Sequence, residues 1–318
     1  MGLEEIDAFL FATLGRDELP WEAGSISAIA ALGIPDGMLG VRGGLLRADV
    51  RLLWARWFVE AICDPERFAR SGDGYAHIVR TVHRRTHALF PTYPADERDV
   101  LALKLARLVN DEVQRRQRLG RTVLSKATRA DLLAEAGARP RCWVCGLAFA
   151  ERAIEAFLGH RSVSDEAGLP VFLDFLKPSG LQRRDHQIEV DHVMPVTHGG
   201  QDGHNLRLAC GWCNGHKGGR ISLYDVMGRP TVFEHPTLGA VSATRPFWVV
   251  RLLALRRRCE WNGTGGCLRT SENSELTVCP HDPVGAMNPI NLRVTCAEHD
   301  PIGLERLVAR DRFRPASA

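Results

Sequence analysis

In the segment IEVDHVMPVTHGGQDGHNLRLACGWCNGHKGG, from Ile188 to Gly219, an Asp191-His192 pair, Asn205 and a Cys210-x-x-Cys213-Asn214 cluster follow one another closely. Upstream, Cys142 and Cys145 in RCWVCG form a second Cys-x-x-Cys pair. A tetrahedral structural zinc site takes four soft ligands, and each such knuckle grips the ion from a single turn. Cys142, Cys145, Cys210 and Cys213 are therefore read as one Zn²⁺ site, closed to water and substrate by its four thiolates. The remaining residue types suit phosphate chemistry. Hydrolysis of a phosphodiester needs a deprotonated water and a counter-charge for the phosphate. Histidine exchanges protons near neutral pH, so His192 suits the first task. Asp191 and Asn214 suit the second, because both offer the oxygen ligands that Mg²⁺ (or Mn²⁺) prefers. Neighbours on a strand point to opposite sides, which lets Asp191 serve metal while His192 serves water.

The elements that must position these groups are short. Gln187 to Val190 alternates toward a strand ending at Asp191-His192, Leu206 to Ala209 makes a second strand, and Gly199, Gly200 and Gly203 permit an irregular loop between them. A helix is expected to start near Asn214. Such a unit has little core of its own and commonly needs a metal staple. The stretch TRADLLAEAG, with Thr128 as its expected N-cap and Asp131 three residues on, predicts a helix that stops at Gly137 and leads into the first cysteine pair. Before it, helical periodicity runs through Leu3 to Leu14, Leu45 to Ile62, Tyr75 to Leu89 and Ala95 to Arg118.

Val190-Asp191-His192, Pro195, Gly199-Gly200, Asn205-Leu206, Cys210, Cys213-Asn214 and Lys217-Gly218 together resemble the HNH endonucleases of the ββα-metal superfamily, especially the McrA-like branch with a four-cysteine zinc site. The resemblance covers Arg141 to Gly219. It implies that His192 is the general base, that Asp191 and Asn214 hold one divalent cation, that Asn205 pins the loop carrying His192, and that Lys217 contacts backbone phosphate. It also implies cleavage that leaves 5′-phosphate and 3′-hydroxyl ends. The interval from Cys145 to Asp191 is longer than in compact members. Its expected helix, Glu151 to Leu158, and its basic stretch, Lys177 to Arg184, read as an insertion that touches substrate. His198, His204 and His216 read as loop residues, with His216 the best substitute for a ligand.

A second copy follows. NLRLACGWCN, from Asn205 to Asn214, aligns without gaps against NLRVTCAEHD, from Asn291 to Asp300. Cys259 and Cys267 replace the first knuckle, so Cys259, Cys267, Cys296 and His299 form the favoured second zinc shell, with Cys279 as the competing ligand. Val278-Cys279-Pro280-His281 stands where Val190-Asp191-His192-Val193 stands in the first copy, so this copy lacks the Asp-His pair. It reads as a degenerate fold used for binding or support.

At 318 residues, 45% hydrophobic and 25% charged, the chain has the composition of a soluble globular protein of about two or three domains. No apolar run reaches the roughly 20 residues that span a bilayer. The opening MGLEEIDAFL lacks the basic region of a secretory signal, which makes the cytoplasm the expected location. Eight of the nine cysteines fall between Cys142 and Cys296, a clustering that favours metal over disulfides where thiols stay reduced. Cys63, in an apolar stretch, reads as a small core residue. Net charge is only +3, yet a basic run from Lys104 to Arg129 and the triplet Arg256, Arg257, Arg258 could each meet phosphate or simply form a solvated helix face.

The expected architecture is α+β and mostly helical: a helical domain over 1–127 for target or partner binding, a zinc-bound ββα-metal module over 128–225, and a zinc-binding, degenerate HNH-like module over 226–318. The expected function is Mg²⁺-dependent DNA cleavage, in restriction or phage defence by family analogy. The alternatives are a non-catalytic zinc-stabilised nucleic-acid-binding protein and an RNA-directed nuclease or toxin. DNA is the expected partner, with a homodimer as the route to double-strand cleavage and no membrane.

Overall fold

The computed structural model describes residues 3–15, 23–117, 124–160, 169–195, 205–228 and 230–313. The chain mixes helix with small antiparallel sheets and is about half helical, where mostly helical was expected; four two-stranded sheets and their connections occupy the later part of the described residues. It divides into two units, Met1–Val50 and Arg51–Ala318. The first holds α1 (Leu3–Leu14), α2 (Ala23–Ala30), the short α3 (Asp36–Leu39) and the start of α4 (Gly43–Ile62). Within it, Arg47 pairs with the Asp36 carboxylate and donates to the Ile34 carbonyl at 3.3 Å.

The second unit begins with a helical layer. In α5 (Pro65–Ser71) the Asp64 side chain caps the first turn by accepting from the Glu66 amide at 2.9 Å. In α6 (Tyr75–Leu89) and α7 (Ala95–Gln117), residues at helical spacing face inward: Ile78 and Val82 meet Ala102, Leu105, Ala106, Val109 and Val113, with Ile62, Cys63 and Phe68 completing the core. Burial pushes the Cys63 thiol up to about 11. Members of the basic run are committed to neighbours here. Arg116 bonds Glu112 at 2.9 Å and Glu66 at 2.8 Å, and Arg129 of α8 (Lys126–Glu135) donates to the Phe157 carbonyl at 3.1 Å. Arg118 and Arg121 lie outside the described residues. The N-cap of α8 is Ser125, not the expected Thr128: the Ser125 hydroxyl accepts from the Thr128 amide at 3.0 Å, because the helix opens before the apolar pattern does.

The site-bearing region follows as α9 (Glu151–Leu158), β1 (Phe172–Asp174), β2 (Ile188–His192), β3 (Leu206–Cys210), α10 (Gly211–Lys217), β4 (Thr231–His235), β5 (Gly239–Ala243), α11 (Pro246–Arg256), β6 (Leu276–Pro280), β7 (Leu292–Cys296) and β8 (Leu307–Ala309). Each sheet is an antiparallel pair: β1 with β8, β2 with β3, β4 with β5, and β6 with β7. α11 buries Phe247, Trp248, Val249, Val250, Leu252 and Leu253, a set that runs around the helix and not along one stripe. Such a helix needs partners on several sides. It packs on α10 on one side and on β6 and β7 on another. Among the described residues no helix is long and apolar enough to cross a membrane.

Candidate functional site

The site starts from sulfur. Cys142, Cys145, Cys210 and Cys213 bring their Sγ atoms within 4.8 Å of one another and are all buried, with Cys145 and Cys210 3.9 Å apart. That spacing suits the edge of a tetrahedron built on Zn–S bonds of about 2.3 Å. The first pair sits on a tight turn in which the Cys142 amide donates to the Leu147 carbonyl at 2.9 Å. Gly146 closes that turn at φ 71°, where a Cβ would lie 2.1 Å from the Ser274 carbonyl oxygen. The second pair straddles the β3–α10 junction. Gly211 is needed there, since a Cβ would lie 2.0 Å from the Arg184 carbonyl oxygen. Hydrogen bonds from Cys142, Cys210 and Cys213 hold the Cys145 thiol well below its usual range, while burial pushes Cys213 well above it. Four buried sulfurs cannot share several negative charges without a cation, which is the chemistry of a zinc ligand set.

Beside this cluster lies a charge that sequence reasoning placed elsewhere. Lys177, expected on a substrate-touching basic stretch, is 6% exposed and donates to Glu275 at 2.8 Å. Burial opposes its charge, but Cys145 and Glu275 outweigh that and hold the ammonium well above its ordinary range. Arg184, at the end of the same stretch, forms a bidentate pair with Glu189 at 2.7 and 3.1 Å.

The Asp-His pair ends β2, paired in register so that Asp191 faces Arg207 and His192 faces Leu206. Asp191 turns inward, 4% exposed, and accepts from Lys217 Nζ at 2.8 Å and from Trp143 Nε1 at 3.0 Å. Burial raises its carboxyl above the ordinary value, and Lys217 opposes the shift. His192 is half-buried. The Val193 amide bonds the Asn205 carbonyl at 2.8 Å, and the Asn205 side chain bonds both the amide and the carbonyl of Met194, at 2.8 and 3.0 Å. Asn205 thus latches the backbone that leaves His192. α10 starts at Gly211, ahead of the expected start near Asn214, so Cys213, Asn214 and Lys217 all ride on it.

Lys217, which the resemblance assigns to backbone phosphate, has a buried ammonium bonded to Asp191 and to the His192 carbonyl. The distance from Lys217 Nζ to the Trp143 ring centroid is 6.0 Å. His216 is turned away: it packs edge-on against Trp212 at 5.0 Å, and burial lowers its pKa. His198 and His204 lie outside the described residues, as do Gly199 and Gly200. Sequence reasoning missed Glu189. Its Oε2 accepts from Asn214 Nδ2 at 2.6 Å, which fixes the flip of that amide, while Arg184 holds the carboxylate from the other side. The period-two spacing of Glu189 and Asp191 on β2 was the available signal.

Residues 180–220 match the HNH endonuclease family model. The HNH match begins at Gly180 and includes β2, β3 and α10, but not Cys142 and Cys145. No curated protein and no solved structure matches the chain. An HNH endonuclease domain points to nuclease activity on nucleic acid, and HNH domains use divalent metals.

The hairpin β6–β7 repeats the register of the HNH hairpin. Leu276 faces Cys296 as Ile188 faces Cys210, and Pro280 faces Leu292 as His192 faces Leu206. The Glu260 amide bonds the Val294 carbonyl at 2.8 Å as the Trp143 amide bonds that of Leu208 at 2.9 Å. Asn291 latches both backbone groups of Asp282 at 3.0 and 2.8 Å, and the His281 amide bonds the Asn291 carbonyl at 2.7 Å. Cys259, Cys267, Cys296 and His299 bring their ligand atoms within 4.8 Å of one another. Cys279 is apart from them, buried, and accepts from Arg293 Nε at 3.3 Å. His299, then, joins the three sulfurs, and its ring stacks on Trp261 at 4.3 Å.

Proposed function

We propose that the chain is a zinc-stapled, Mg²⁺-dependent endonuclease that hydrolyses DNA phosphodiester bonds. The observation that carries the reading is the end of β2, where His192 leaves the sheet latched by Asn205 while Asp191, its neighbour, is gripped by α10. His192 takes the proton of the attacking water. The Asn205 latch and the Lys217 bond to the His192 carbonyl hold the backbone from which that imidazole reaches. Asp191 and Asn214 would hold Mg²⁺ (or Mn²⁺), which supplies a counter-charge for the phosphate and the leaving oxygen. The donor set fits a hard ion: a carboxylate has about four lone-pair sites, and two remain on Asp191 beyond its bonds to Lys217 and Trp143. Glu189 keeps the Asn214 amide turned so that its oxygen is available.

Zn²⁺ in the first cysteine cluster fixes the hairpin to the knuckle, and Zn²⁺ in the second does the same for a degenerate copy without the Asp-His pair. The 5′-phosphate and 3′-hydroxyl products, and a setting in restriction or phage defence, rest on the family resemblance. One such centre cuts one strand, so double-strand cleavage calls for a homodimer or two nicks. The three-part layout over 1–127, 128–225 and 226–318 remains part of this reading.

The test is cleavage of supercoiled plasmid with Mg²⁺, beside single-stranded DNA and RNA. His192→Ala should lower cutting by about 10²-fold or more, with zinc content unchanged. Retained activity in that variant would remove His192 as the base. The non-catalytic reading has one observation in its favour: Asp191 is already paired with a buried lysine. It expects salt-sensitive DNA binding and no cutting with any divalent metal.

A further inference from the structure

We propose that His83, His87 and Asp99 form a separate metal site, open to solvent, that takes one Zn²⁺ or a similar late first-row divalent ion. His83 and His87 are four residues apart on α6, so both imidazoles lie on one face of the helix. Their rings stack at 4.1 Å with an interplanar angle of 23°. Both Nε2 atoms converge on one oxygen of Asp99 at the start of α7, at 2.9 Å from His83 and 2.7 Å from His87. The three ligand atoms all lie within 4.8 Å of one another.

Convergence on a single oxygen is what makes this more than a surface ion pair. A carboxylate binding two imidazoles for charge alone could take one on each oxygen. Here the two nitrogens and the oxygen face one point, and a single ion bound to all three would replace two N–H protons. Donor chemistry selects the ion. Two imidazoles and a carboxylate suit Zn²⁺, Ni²⁺ or Cu²⁺, whereas Mg²⁺ and Ca²⁺ prefer oxygen throughout. The side chains of His83, His87 and Asp99 are 50%, 26% and 52% exposed, so the ion keeps a position for water or an outside donor. This contrasts with the fully buried cluster of Cys142, Cys145, Cys210 and Cys213. The ion would clip α6 to α7 on the solvent side of the Val82 and Ala102 core.

The experiment uses the full chain with its cysteine clusters zinc-loaded, titrated with Zn²⁺ alone and read by native mass spectrometry and calorimetry. The wild type should carry one more Zn²⁺ than the His83→Asn/His87→Asn double variant, and excess Zn²⁺ should raise the melting temperature of the wild type only. Asp99→Asn removes a direct ligand and should weaken that last Zn²⁺ by more than the roughly tenfold that loss of a second-shell partner costs. Circular dichroism checks that the double variant folds. Should it not fold, the exposed Asp99→Asn change tests the site alone, read as the loss of affinity for that last Zn²⁺; unchanged affinity in that variant would likewise overturn the proposal. Equal zinc counts in wild type and variants, or no ion in the wild type beyond the cysteine clusters, would overturn the proposal.

Discussion

The hairpins β2–β3 and β6–β7 share register, knuckle pairing and an asparagine latch, and they part company at one turn. After Cys210 the chain continues as α10, and Lys217 at its end reaches back to Asp191. After Cys296 there is a single 3-10 turn, Ala297–His299, whose His299 joins the sulfur cluster. The position of Asp191 is then occupied by Cys279, which accepts from Arg293 on the opposing strand. A buried carboxylate needs a cation close by, and a buried thiol does not. The helix and the aspartate therefore belong together, while the sulfur frame serves either version.

The largest effect expected from this contrast is on folding. Cys213→Ala should strip zinc from the first cluster, where structural zinc contributes on the order of 10 kcal/mol, and melt the β2–β3–α10 unit. His299→Ala should remove zinc from the second cluster alone. Zinc stoichiometry with thermal unfolding separates the two, and a shared loss in both variants would break the picture of independent frames.

Next in size is Lys217→Met, which leaves Asp191 buried without its cation and should cost about 3–5 kcal/mol in denaturant unfolding. Lys217→Met/Asp191→Asn should recover most of it. Failure to recover would mean that the lysine matters for something besides that pair. Smaller still, Glu189→Gln loses the Arg184 ion pair and loosens Asn214. Plasmid cutting should fall by about 10- to 100-fold with zinc content intact. At the bottom of the scale, Cys279→Asp/Pro280→His placed in the His192→Ala chain should restore no cutting. Recovery there would show that the second hairpin needs only the pair and not a helix.

The sequence made the local elements plain, and the reasons are physical. α1, α6 and α9 fall where apolar periodicity and breakers put them, at Leu3–Leu14, Tyr75–Leu89 and Glu151–Leu158. The gap-free match of Asn205–Asn214 to Asn291–Asp300 is mirrored in the two hairpin registers, because identical strand lengths and latches impose identical pairing. What escaped was long-range. Lys177 and Lys217 read as substrate contacts since a lysine's partner cannot be seen from its neighbours, and those partners, Glu275 and Asp191, lie 98 and 26 residues away. The β1–β8 pair escaped for the same reason, being two three-residue strands with no turn between them. The packing of α11 between α10 and the β6–β7 hairpin also escaped, because it depends on what surrounds the helix.

That β1–β8 pair bears on how the molecule is made. Arg306 bonds Asp174 across 132 residues at 2.8 Å, the Phe175 amide bonds the Arg306 carbonyl at 3.0 Å, and Phe172 faces Ala309. On a ribosome the interval after the first knuckle emerges well before its partner strand, so this seam cannot close until synthesis has passed Ala309. The segment leading into β2 must wait as an unpaired edge, and the seam, being so non-local, is expected among the slower contacts to form.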